Sequence, residues 1–137
     1  MSRGTIPVGA TGQFTLVVAP EHLANRFKDA ALPPVLATPV VIMTMENAAL
    51  NALKPYLKPG ESAVGTAVDI RHTAPTPVGA RILAEAEVTR VDGRLIEFVV
   101  RARDDVEEIG TGTHERVIVD LARLARRLDA KRGDAKY

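Results

Sequence analysis

The chain has no cysteine, no tryptophan and only three histidines among its 137 residues. Without cysteine there is no disulfide, no thiolate nucleophile and no cysteine-based zinc site. His22, His72 and His114 are scattered without metal-ligand spacing, so no metal is expected. Glycine-rich phosphate loops of the P-loop or Rossmann type are also missing. No apolar run approaches the roughly 20 residues of a membrane span. The opening "MSRGTIPVGATGQFTLVVAP" has no apolar stretch long enough for a signal-peptide core. The expectation is a cytoplasmic protein that does not enter a membrane. Neither sign of charge dominates: the net charge is +1, which points to no class of partner. The one imbalance is at the end, where residues 121–137 hold six Lys/Arg against two Asp. No aromatic side chain apart from Tyr137 is interleaved with these charges, so the tail reads as a solvated basic helix and nucleic acid is not expected.

What is present suits one globular domain. The 46% apolar and 26% charged content is near the average for packed proteins. No linker, repeat or low-complexity block divides the chain, so a single domain over 1–137 is expected, with a core over about 13–121 and a basic tail over 122–137. "QFTLVV" (13–18) alternates as a first strand. "EHLANRFKDA" (21–30) reads as a short helix or irregular segment, and the prolines of "ALPPVLA" (31–37) impose an extended approach.

The most helix-like segment follows. Thr38 is a good N-cap, Pro39 fits the first helical position, and the pattern runs to about Leu53. At 100° per residue, Thr44, Asn47, Asn51 and Lys54 form a polar stripe, while Ile42, Met43, Ala49, Leu50 and Leu53 lie opposite with Glu46 among them. The second half reads as a meander of strands. Over 61–72 one face carries Val64, Thr66, Val68, Ile70 and His72; over 80–91 Ile82, Ala84, Ala86 and Val88 alternate with glutamates. Asp92-Gly93 marks a hairpin, after which Ile96, Phe98, Val100 and Ala102 alternate with charges. A further strand over 107–120 contains glycines, and Asp120 caps a helix bearing Leu121, Leu124 and Leu128. One strand, an apolar helix and four antiparallel strands make an α+β fold, a curved sheet around one central helix.

Several residues are candidates for chemistry. Glu46, a carboxylate on an apolar face, must be paired or protonated. It is either a structural ion pair with a strand arginine or a desolvated base or nucleophile. His72 ends a strand beside a proline-rich loop, and both a satisfied core histidine and a catalytic group fit it. Capping alone explains Thr38; as a nucleophile it would need a nearby base. His114 and Arg116 lie two apart and share a strand face, where Arg116 could pair with Glu46 or bind an anionic group.

Together, "LATPVVIMTMENAAL", "VGTAVDIRHTAPTPVGA" and "VDGRLIEFVVRARDDVEEIGTGTHERVIVD" resemble the fluoroacetyl-CoA-specific thioesterase family of hotdog-fold proteins, over about residues 14–121. The resemblance implies a hotdog dimer that hydrolyses acyl-CoA thioesters between two subunits, with no cofactor beyond the coenzyme A of its substrate. It implies catalysis by Thr38, Glu46 and His72, with Gly65 and Arg116 near the acyl group. Aromatic residues guard the pocket of the family's best-known member just upstream of the threonine. This chain has "ALPPVLA" there, which shifts the expected substrate from fluoroacetyl-CoA to a small or medium acyl-CoA. A hotdog acyl-CoA hydratase or dehydratase and a non-catalytic acyl-CoA-binding module are the alternatives. The first would want an Asp beside His72, and Asp69 alternates to the opposite face. Eight residues of helix between Thr38 and Glu46 span about 12 Å. Either the first turn is irregular, or the working pair comes from two subunits of a homodimer.

Overall fold

The structure is a computed structural model that describes residues 6–133; Tyr137 and the end of the basic tail lie outside the described residues. Strand β1 (Thr11–Val17) leads through a 3-10 turn at Pro20–His22 to the short helix α1 (Ala24–Phe27) and then to helix α2 (Thr38–Leu53). Strands β2 (Glu61–His72), β3 (Arg81–Asp92), β4 (Leu95–Arg103) and β5 (Glu108–Asp120) follow, and helix α3 (Leu121–Gly133) closes the described chain. The strands form one antiparallel sheet in the order β1-β3-β4-β5-β2. It wraps α2, as the α+β expectation required.

The alternation of β3 and β4 builds the core. Ile82, Ala84, Ala86 and Val88 are buried, and the register sets Ala84 beside Ala102, Ala86 beside Val100 and Val88 beside Phe98. Full burial of side chains such as Phe98 or Val100 is worth about 1.5–3 kcal/mol each. The chain reverses over Gly93-Arg94, with Asp92 opposite Leu95 and Gly93 at φ 61, the left-handed conformation a two-residue hairpin needs. Helix α2 lies directly on the sheet because small residues meet: a Cβ on Gly12 of β1 would run into the Ala48 carbonyl and the Ala52 backbone.

Three expectations are corrected. Thr38 is the first helical residue and Ala37 is the N-cap, with no side-chain cap bond. The face of α2 turned to the sheet carries Val41, Thr44, Met45, Ala48 and Ala52. Thr44 is therefore core and not part of a polar stripe, its hydroxyl donating to the Val41 carbonyl at 2.7 Å, whereas Ile42, Glu46 and Leu50 are half-buried and Met43 is exposed. Finally, the uniform face predicted for β2 is split by a bulge at Thr66, between the pairs Gly65–Arg116 and Ala67–Glu115. Ala63 and Gly65 face inward before it and Ile70 and His72 after it, while Val64 is thrown outward. The Asp120 cap on α3 is present, its carboxylate accepting from the Arg123 N–H at 3.0 Å.

Candidate active site

One group of functional side chains forms where α2 begins. The Thr38 hydroxyl shares a 2.8 Å hydrogen bond with Nδ1 of His72, the last residue of β2. The chain before α2 is held in place by backbone bonds from Leu36 N–H to the Thr76 carbonyl and from Ala37 N–H to the His22 carbonyl, both 2.9 Å. Thr76 in turn donates to buried Asp104 at 3.2 Å, and Asp104 also accepts from the N–H groups of Val106 and Glu107 at 2.8 and 2.9 Å. Burial alone would raise the Asp104 pKa, but these bonds hold it below the ordinary carboxylate value. Thr38 and His72 are thus pinned by the loop after β2 and the turn after β4. Burial lowers the His72 pKa, with the Ala74 backbone opposing, so the imidazole is neutral at pH 7 and able to accept a proton. A cavity of about 410 Å³ opens here between Ala24, Leu32, Val35, Leu36 and Pro39, a size suited to a small-molecule site.

A second group lies further along α2. Glu46 reaches toward β2 at Gly65, where a Cβ would sit 2.8 Å from its Oε2. A side chain at this position would push the carboxylate back. Arg116 of β5, 7% exposed, places Nη1 4.0 Å from the same oxygen, close enough for charge attraction but too long for a hydrogen bond. Its Nη2 donates to the Ala63 carbonyl at 2.6 Å and its Nη1 to His114 Nε2 at 3.2 Å. Burial lowers the Arg116 pKa and Glu46 opposes this; a guanidinium remains charged regardless.

The structure therefore brings Thr38 to His72, and Glu46 to Gly65 and Arg116, but does not join the two groups within one chain. Helix α2 begins regularly, with Val40 and Val41 N–H both bonded to the Ala37 carbonyl at 3.0 and 3.2 Å. An irregular first turn is thereby removed, and Thr38 stays about 12 Å along the axis from Glu46. Along β2, Gly65 and His72 are about 20 Å apart at the usual strand rise, with the bulged residue discounted. Sequence reasoning missed the support given by Asp104 and Thr76, which comes from two separate loops. It also missed the part taken by His114, for which the inward parity shared with Arg116 was the available signal. Among the described residues no group of three His, Asp or Glu could hold a metal ion.

Comparison with known proteins bears on the family and the fold. The family model described as fluoroacetyl-CoA-specific thioesterase matches residues 18–122. A fluoroacetyl-CoA thioesterase of Streptantibioticus cattleyicolor is 44% identical over 95 residues, 69% of this chain and 68% of the relative. The crystal structure of a mutant of the fluoroacetyl-CoA-specific thioesterase FlK superposes with a TM-score of 0.87 at 36% identity, covering 94% of this chain and 99% of the other. A hypothetical protein of Thermus thermophilus described as a thioesterase superfamily member gives 0.85 at 33% identity, covering 96% and 98%. A family model over most of the chain, a 44% identical relative and a shared hotdog sheet around α2 agree, and the chain belongs to the fluoroacetyl-CoA-specific thioesterase family.

Proposed function

We propose that the protein hydrolyses small or medium acyl-CoA thioesters at two sites of a homodimer, each joining Thr38 and His72 of one protomer to Glu46, Gly65 and Arg116 of the other. The chain is a thioester hydrolase by family and by its 44% identical thioesterase relative. The observation that carries the proposed site is the pair of separated groups: Thr38 with His72 at 2.8 Å, and Glu46 beside Gly65 and Arg116 at the far end of the same strand. Each is incomplete alone. Strand β2 is an edge of the sheet and exposes Val64 and Val68, and beside it α2 leaves Ile42 and Glu46 half-buried and Met43 exposed. A long apolar edge of this kind calls for a partner strand, and an isologous pairing brings the far end of one β2 to the near end of the other.

In the mechanism, a water molecule loses its proton to Glu46 while its oxygen adds to the thioester carbonyl carbon. The Thr38 hydroxyl, held by neutral His72, orients the water or the carbonyl. The backbone N–H of Thr38 at the start of α2, aided by the helix dipole, stabilises the oxyanion. Collapse breaks the C–S bond, and the leaving sulfur takes up the proton. A covalent variant has Glu46 attack the carbonyl itself, forming an anhydride that water then opens. Single turnover in oxygen-18 water separates the two, because only the anhydride route leaves the label in the Glu46 carboxylate. The chemistry calls on no metal or redox group, and coenzyme A enters as part of the substrate. The aliphatic lining by Leu32, Val35 and Leu36, without an aromatic gate, supports a small or medium acyl chain. Exposed Asp69 faces away from His72, which disfavours a His–Asp dehydratase.

The test is thiol release across acetyl-, phenylacetyl- and longer acyl-CoAs. Thr38→Ala, Glu46→Gln and His72→Ala are each expected to lower kcat/KM by about 100-fold or more. Near-full activity in all three on every substrate would sink the site; binding without turnover by the natural sequence would favour a non-catalytic module, and enoyl hydration a hydratase.

A further inference from the structure

Buried His114 stands behind the Glu46–Arg116 pair and touches no part of the Thr38–His72 cavity. Its hydrogen bonds fix its chemistry without reference to the reaction. The Ala67 carbonyl, 2.8 Å from Nδ1, can only accept, so Nδ1 carries the proton. The guanidinium of Arg116, 3.2 Å from Nε2, can only donate, so Nε2 offers its lone pair. The ring is thus a neutral imidazole held in the Nδ1–H tautomer. Phe98 of β4 stacks on it, with ring centroids 5.8 Å apart at an interplanar angle of 25°.

The groups around His114 act in both directions. Burial is the largest influence and lowers its pKa; the hydrogen bond to the Ala67 carbonyl opposes it, Arg116 on β5 lowers it further, and Glu46 on α2 and Glu115 on β5 raise it. Glu115 itself, with Asp69 on β2 and Glu97 on β4, alternates to the opposite face of the sheet. Nη1 of Arg116 is the contested group: it donates to His114 at 3.2 Å and stands 4.0 Å from Glu46 Oε2. An Arg–carboxylate pair left to itself closes to hydrogen-bond distance. Here one nitrogen is drawn back toward His114 and the other is tied to the Ala63 carbonyl at 2.6 Å.

We propose that neutral His114 is a positioning residue, which holds the Arg116 guanidinium back from Glu46 so that Oε2 stays free to take a proton or attack the substrate. This rests on the reading that Glu46 acts in the reaction. Protonating His114 would turn the acceptor into a second donor facing a cation, and the bond to Arg116 would be lost. Arg116 would then close on Glu46, stabilise the carboxylate and leave a weaker base.

Two variants and one spectrum test this. His114→Phe keeps a ring against Phe98 but removes the acceptor; His114→Gln returns an acceptor toward Arg116. In folded protein, judged by thermal unfolding, His114→Phe is expected to lower kcat by about tenfold or more. The acidic limb of its pH profile should move to lower pH, which a packing defect alone would not do. His114→Gln is expected to stay within about threefold of the natural enzyme with its limb in place. Nitrogen-15 correlation spectra of the natural protein, which has three histidines, should show His114 as the Nδ1–H tautomer and neutral at pH 7. A Nε2–H tautomer or a charged ring at that pH overturns the proposal whether or not a variant folds. So does a folded His114→Phe with unchanged kcat and limb, or a folded His114→Gln as impaired as His114→Phe. Inactive Glu46→Gln beside an unaffected His114→Phe overturns this proposal alone, whereas active Glu46→Gln overturns the reading of Glu46 as well.

Discussion

Replacing Gly65 by alanine probes the crowding around Glu46 with one methyl group. The added Cβ would lie 2.8 Å from Glu46 Oε2, 3.3 Å from His114 Cε1 and 3.5 Å from Arg116 Nη1. Ordinary contact begins near 3.4 Å, so the carboxylate must retreat by about 0.6 Å while Arg116 need not move. The carboxylate is the end of a flexible side chain, so its retreat costs the fold little. Gly65 is not among the glycines with positive φ, and alanine at a compatible backbone position adds about 0.4–1 kcal/mol of stability. Catalysis is far less forgiving, since a misplacement near 1 Å costs about 100-fold. Gly65→Ala is therefore expected to lower kcat/KM by about 10- to 100-fold in a thiol-release assay, while the urea midpoint changes by no more than about 1 kcal/mol allows. Activity within about twofold of the natural enzyme would refute the placement of Glu46 against Gly65. A loss of activity that merely follows a loss of folded protein would refute the separation of the two effects.

Other outcomes follow from the supporting groups. Asp104→Ala removes the acceptor of three hydrogen bonds beneath the Thr38–His72 loop; it is expected to cost about 1–3 kcal/mol in urea unfolding, and an unchanged midpoint would contradict this. Because the folded pKa of Asp104 is depressed, its stabilisation is present above the unfolded carboxyl pKa and is lost as pH falls through the folded value. The histidines have the same slope for a different reason. His72 and His114 both have lowered pKa values in the fold, so below about pH 6.5 the unfolded chain binds protons that the folded chain refuses. Stability should fall from pH 7.5 to 5.5, and His72→Asn should flatten that fall; stability that holds or rises toward pH 5.5 would contradict the burial assigned to the two rings.

Much of the fold was legible because β3 up to Val88 and the whole of β4 alternate and Asp92-Gly93 admits a tight reversal. The extent of α2 was legible for a similar reason, between the prolines at 39 and 55. Its orientation was not, because the side of the helix away from the core, with Ile42, Met43 and Leu50, is apolar as well. Thr44 looks polar in sequence, yet its hydroxyl is satisfied by the Val41 carbonyl and can be buried. A bulge at Thr66 leaves no mark in a period-two pattern, and it moved Val64 to the outer face. Of the site, the approach of Arg116 to Glu46 could be anticipated from the inward parity of "THERV". The protonation state of His114 could not, because it depends on the Ala67 carbonyl brought across from β2.

Subunit complementation shows whether a working site takes Thr38 from one protomer and Glu46 from the other. Thr38→Ala and Glu46→Gln chains, each nearly inactive alone, are unfolded together and refolded as an equal mixture. If the site is shared, half the dimers are mixed and each mixed dimer holds one intact site, so the mixture should recover about a quarter of the natural activity. If Thr38 and Glu46 act from the same chain, every site in every dimer keeps one defect. A mixture no more active than its two components would mean that Thr38 and Glu46 do not meet across two protomers.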